Sequence, residues 1–174
     1  MKTRYALLAI ALSPLYFAST SAQAVDVLHN GALNVPANRI VGLWTSEAAT
    51  RPCGTTLPLS PLRNTILFHA GGTALANPQF PLTGIPNALG IPGIHQRGQD
   101  LGTWSYNPLT AQYTIKLRFD WYVDGRYHGY QTVDRTILLS NDGRQAFGPV
   151  RSTRYTAGGS VISEVCGEAT STRQ

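Results

Sequence analysis

The chain has 174 residues, 43% hydrophobic and only 13% charged, with formal charge +5 and two cysteines. That length with this apolar share is one domain with room for a buried core, and excludes a disordered or fibrous chain. The basic residues are spread along the chain and form no run or stripe, which excludes the electrostatic footprint of a nucleic-acid-binding surface.

Lys2 and Arg4 precede an apolar run from Tyr5 to Phe17, and Ala22-Gln23-Ala24 supplies a small-x-small site. This is the pattern of a secretion signal cut after Ala24. The run is too short for a membrane span, and no later stretch reaches about 20 apolar residues. Removal of residues 1–24 takes Lys2 and Arg4 away and leaves a net charge of +3. The mature protein is expected to be secreted or periplasmic, with no membrane span. Cys53 and Cys166 then meet an oxidising compartment, so one disulfide is expected, tying an early strand to the last one.

Residues 25–39 are turn-rich and read as an irregular N-terminal arm, and residues 40–174 as a single domain. Ile40 to Glu47 is a short strand around Trp44, and Thr65 to His69 is the next. Residues 71–102 carry four prolines and many glycines, yet are threaded with Phe80, Leu82, Ile85, Leu89, Ile91 and Ile94. A long apolar loop of this kind either packs as an arm with short strands of its own or covers a pocket as a lid. Thr103 to Tyr106 is a strand. Gln112 to Val123 then alternates, with Tyr113, Ile115, Leu117, Phe119, Trp121 and Val123 on one face, a period of two with one face buried. Asp124-Gly125 is a hairpin turn signal. The return strand runs to Leu139, and turns at residues 140–143 and 157–160 separate two more. The whole reads as all-β: an antiparallel up-and-down barrel of about eight strands, since closure removes exposed sheet edges.

A two-residue turn at Asp124-Gly125 sets Trp121 opposite His128 and Phe119 opposite Tyr130. Tyr122 then meets Tyr127 on the other face, with Arg118 and Asp120 beside it. Either face could line the lumen. The first gives an aromatic slot with His128 as its titratable group; the second gives an internal network of Arg118, Asp120 and Tyr122. The plainer readings are a partly solvated His128 near the turn and an outward charged stripe of Arg118 with Asp120. His69 ends its strand where a barrel mouth would lie, and His95 with Arg97 and Asp100 falls in the long loop. Glu164 and Glu168 stand about 13 Å apart at strand rise, too far for a glycosidase pair. Ser105, Ser140 and Ser152 lack a nucleophile elbow. No metal or cofactor signature is present.

Gly42-Leu43-Trp44 is similar to the Gly-x-Trp of the lipocalin and calycin barrels, and Arg173 is placed like the arginine that stacks on that tryptophan. Residues 67–73, Gly102-Thr103-Trp104, Asp124-Gly125, Arg135 to Ser140 and Cys166 resemble an exported, lipocalin-like bacterial group of uncharacterised function. The resemblance covers roughly residues 40–173 and implies a barrel with a hydrophobic ligand in its lumen. The expected ligand contacts are Phe68, His69, Trp104, Phe119, Trp121 and Tyr122, around a small apolar molecule. A cofactor-independent isomerase or cyclase is the second reading, with His128, Tyr130, Asp120 and Arg118 as catalytic candidates. A barrel with a protein partner, such as a periplasmic protease inhibitor, is the third.

Overall fold

A computed structural model of the chain describes residues 35–174. The expected signal segment, residues 1–24, and the start of the expected N-terminal arm lie outside the described residues. Ten strands follow a 3-10 turn at Pro36–Ile40. They are β1 (Gly42–Pro52), β2 (Ser60–Phe68), β3 (Thr73–Pro78), β4 (Ile85–Pro86), β5 (Ile94–Arg97), β6 (Asp100–Asn107), β7 (Gln112–Val123), β8 (Arg126–Leu139), β9 (Gln145–Thr156) and β10 (Val161–Arg173). Among the described residues no helix is long and apolar enough to cross a membrane.

The strands close into an antiparallel barrel. β2 pairs with β3, β3 with β6, β6 with β7, β7 with β8, β8 with β9, β9 with β10, and β10 with β1, which returns to β2. β5 pairs with β7 at His95–Arg97, on the edge that β6 occupies from Leu101 onward. β5 and β6 are thus one stave broken at Gly98-Gln99, and the wall has eight staves. β4 pairs only with β5 and lies outside the ring. The stretch expected to be one long loop, residues 71–102, therefore holds β3, β4, β5 and the start of β6. Its apolar residues stand singly or in runs of two or three between prolines, glycines and polar residues, too short to show a period.

One end of the barrel is stoppered. Ile40 and Trp44 are fully buried, and Trp44 Nε1 donates to the Ile40 carbonyl at 2.8 Å. Arg173 lies over the Trp44 ring at 4.5 Å, donates through Nη1 to the Val41 carbonyl at 2.6 Å and through Nε to the Gly143 carbonyl at 3.0 Å. Gly42 has φ +131°, and a Cβ there would fall 2.9 Å from Arg173 Nη1, so glycine lets the arginine close over the tryptophan. The Gly-x-Trp and the late arginine meet as the resemblance implies. Tyr113 donates from the same end to the Pro36 carbonyl. Phe68, Trp104, Ile115 and Ile137 fill the barrel above this stopper.

Cys53 and Cys166 form the expected disulfide, with Cα atoms 5.0 Å apart across a separation of 113 residues. The bond joins the far end of β1 to β10, beyond the direct pairing of Arg51 with Cys166.

Candidate functional site

The lumen is written on β7. Tyr113, Ile115, Leu117, Phe119 and Trp121 are buried on its inner face, while Arg118 and Asp120 stand in solvent with side chains 58% and 45% exposed. The aromatic face points inward.

Which residues of β8 face it is decided by one irregularity. The turn holds the expected register at first: Val123 pairs with Arg126 and Tyr122 with Tyr127. The next pair is Trp121 with Gly129, not with His128. His128 is the extra residue of a β-bulge, two residues facing one. Gly129 makes the close approach possible: its φ is +151°, and a Cβ would lie 2.1 Å from the Tyr155 carbonyl oxygen. Because side chains alternate with a period of two, one added residue reverses the facing of the whole strand beyond it. Phe119 therefore meets Gln131, Leu117 meets Val133, and Ile115 meets Arg135.

This corrects several sequence-based assignments. Tyr130 pairs with Asp120 on the outer wall, where its ring stacks on Tyr155 at 4.8 Å under the Arg118 guanidinium at 4.0 Å. Arg118 and Asp120, 3.9 Å apart, form the outward stripe rather than an internal network. Tyr122 pairs edge-on with Tyr127, centroids 6.0 Å apart, outside the lumen. His128 is half-buried at the bulge, with Nδ1 buried and unpartnered. The four catalytic candidates do not converge on the lumen. Of the expected ligand contacts, Phe119 and Trp121 line its upper half. Phe68 and Trp104 belong to the packed lower half, where Trp104 Nε1 donates to the His69 carbonyl at 3.0 Å. His69 itself is exposed at the stoppered end, away from the open half.

The bulge turns Arg135 inward. Its side chain is 4% exposed and donates from Nη1 to Ser46 Oγ at 3.1 Å and from Nη2 to Ser171 Oγ at 3.4 Å. Burial alone pushes its guanidinium down to about 10. Higher up, Trp121 Nε1 donates to Gln131 Oε1 at 2.6 Å, and Gln131 Nε2 donates to Ser152 Oγ at 2.5 Å. Between these groups lies a hollow of about 70 Å³, bounded by Ser46, Asn64, Arg97, Asp100, Phe119, Gln131, Arg135 and Ser152 among others.

The segment from Phe80 to Asp100 roofs this hollow. Arg97 and Asp100 form an ion pair with both side chains buried, at 6% and 4% exposure. Burial pushes the Asp100 carboxyl up and the Arg97 guanidinium down, against the attraction between them. Arg97 lies flat on Phe119 at 3.3 Å, and Phe80 sits edge-on to Trp121 at 5.8 Å. His95 is fully buried beside Trp121; its Nδ1 faces Arg154 Nη2 at 3.3 Å and its Nε2 faces the Ile91 carbonyl at 2.9 Å. A guanidinium can only donate, so Nδ1 accepts and Nε2 carries the proton. Outside the roof a crevice of about 250 Å³ runs between Asn77–Leu82 and Gln96–Gln99, and Arg97 borders both it and the hollow.

No family model, curated protein or solved structure matched the chain. Sequence reasoning singled out Arg97, Asp100 and His95 as a group but missed Arg135, Ser46, Gln131 and Arg154. The available cue was Gly129, a glycine inside a strand pattern, which marks a bulge.

Proposed function

We propose that this protein is an exported barrel of lipocalin type that takes a small, largely apolar molecule into the upper half of its lumen. The observation that carries this reading is the roof. The inner wall offers Phe119 and Trp121 as an apolar surface, and that surface is covered by Arg97 and Phe80, which belong to a segment crossing the mouth. The segment is held by short ladders: two residue pairs between β4 and β5, and three between β5 and β7. It carries two non-glycine residues in the left-handed region, Asn87 at φ 53° and Leu89 at φ 57°, a conformation that costs of order 1 kcal/mol or more each. Withdrawal of Arg97 joins the hollow to the crevice, and the merged space reaches the roughly 300 Å³ at the lower end for small-molecule sites. A disulfide and a compartment outside the cytoplasm are consistent with such a carrier.

Uptake of a neutral apolar fluorophore, N-phenyl-1-naphthylamine, tests the reading. Wild type should bind it, and Arg97→Ala, which removes the cover, should bind about tenfold more tightly. Absence of binding by both proteins would overturn it.

A further inference from the structure

The upper lumen holds an unbalanced set of charges. Arg97, Arg135 and Arg154 are buried there, against one buried carboxylate, Asp100, which Arg97 already engages. Among the described residues no carboxylate lies within ion-pair distance of Arg135. A buried charge without a counter-charge is strongly disfavoured, so natural interiors supply a partner or leave room for one.

Counting hydrogen bonds shows which kind of partner is missing. Arg135 has five N–H bonds. One goes to Ser46 and one to Ser171, while Nε is buried with no partner. The two serine hydroxyls touch each other at 2.9 Å, which uses one O–H and leaves the other undonated. Arg97 Nε is also buried and unpartnered. These surplus groups are all donors and two of them carry positive charge. Asn64 Oδ1 is the one unpartnered acceptor bordering the hollow, and rotation of its amide offers N–H donors in its place. The space beside them, about 70 Å³, is larger than one water needs and suits a group of a few heavy atoms.

We infer that Arg135, with the Ser46–Ser171 hydroxyl pair, forms a site in the barrel lumen for a small monovalent anion, a carboxylate group above all. The planar guanidinium matches a carboxylate through parallel N–H donors, and the free serine hydroxyl adds a third donor. The low local dielectric makes each of these contacts stronger than at a surface. The carboxylate is either a free small acid or the head of the lumen ligand, and in the second case the site rests on the binding reading above.

Calorimetric titration with sodium acetate and with sodium octanoate tests this, on wild type, Arg135→Met, Arg135→Lys and Ser46→Ala. Arg135→Met removes a buried charge and should fold with a raised melting midpoint, so loss of binding in it is not loss of structure. Wild type should give saturable acetate binding, weakened roughly tenfold or more in Arg135→Met, and less in Arg135→Lys and Ser46→Ala. Tighter octanoate binding assigns the carboxylate to the head of the lumen ligand; acetate binding alone assigns a free acid. Equal binding by Arg135→Met, or no saturable heat in wild type to about 100 mM, would overturn the site. If the neutral fluorophore binds and neither carboxylate does, the lumen reading stands and the anion site falls. If acetate binds and the fluorophore does not, the reverse holds.

Discussion

Single residues inside this barrel are tuned by loss of water more than by charge partners. Arg135 is the extreme, held by two hydroxyls where a carboxylate would be expected. Tyr113 shows the same effect on an acid. Burial, then its neighbour Tyr106, pushes its phenol up to about 12 from the ordinary 10. The neutral form is therefore favoured in the folded state. Below pH 10 the phenol is neutral in both states and the contribution is complete. Between pH 10 and about 12 the unfolded chain loses the proton first, so stability falls as pH rises through that window. Absorbance titration at 295 nm should show one tyrosine ionising late, and Tyr113→Phe should flatten the loss of stability over this range. A titration in which every tyrosine ionises near pH 10 would contradict the account.

At the scale of the element, β7 was legible and β8 was not. Twelve alternating residues made the existence of β7 plain and marked Tyr113, Ile115, Leu117, Phe119 and Trp121 as one face, but left open which face lines the lumen. The structure turns that apolar face inward. Asp124-Gly125 gave the turn, with φ values of 49° and 73° as a type I′ turn requires. Register failed three residues later, because His128 is indistinguishable from any ladder residue until the cramped approach at Gly129 is known. That single insertion hid Arg135 from view and brought Tyr130 wrongly into the lumen. The roof was legible only as a choice between arm and lid, since its two- to four-residue strands lie below the length at which periodicity speaks. Gly129→Ala should test the bulge: its Cβ has no space, and the substitution should destabilise by about 2–4 kcal/mol. Chemical denaturation reads this directly, and a change under about 0.5 kcal/mol would mean that β8 slides into the regular register at little expense.

For the whole molecule, closure is the organising fact, and it was readable from the meander of turns together with two distant cysteines. The bridge closes a loop of 113 residues, worth about 4–5 kcal/mol on the loop-entropy account. A Cys53→Ser/Cys166→Ser double variant should lose stability of that order, and retain far-ultraviolet circular dichroism of a β-protein at low temperature. Equal stability with and without reductant would show that β1 and β10 hold together unaided.

The pairing of Trp44 with Arg173 also has a bearing on timing. The clasp that seals the stoppered end needs a residue near the front of the barrel and one from its last strand. Until β10 arrives, β1 offers an unpaired edge, and Trp44 lacks the guanidinium that covers its ring. Barrels dominated by such remote contacts fold slowly, and open edges invite pairing with other chains. A chain of this design therefore remains an incomplete ring while its last strand is missing. Closure of the barrel begins in earnest only when Arg173 is in place, which makes β10 the trigger of the ring's completion.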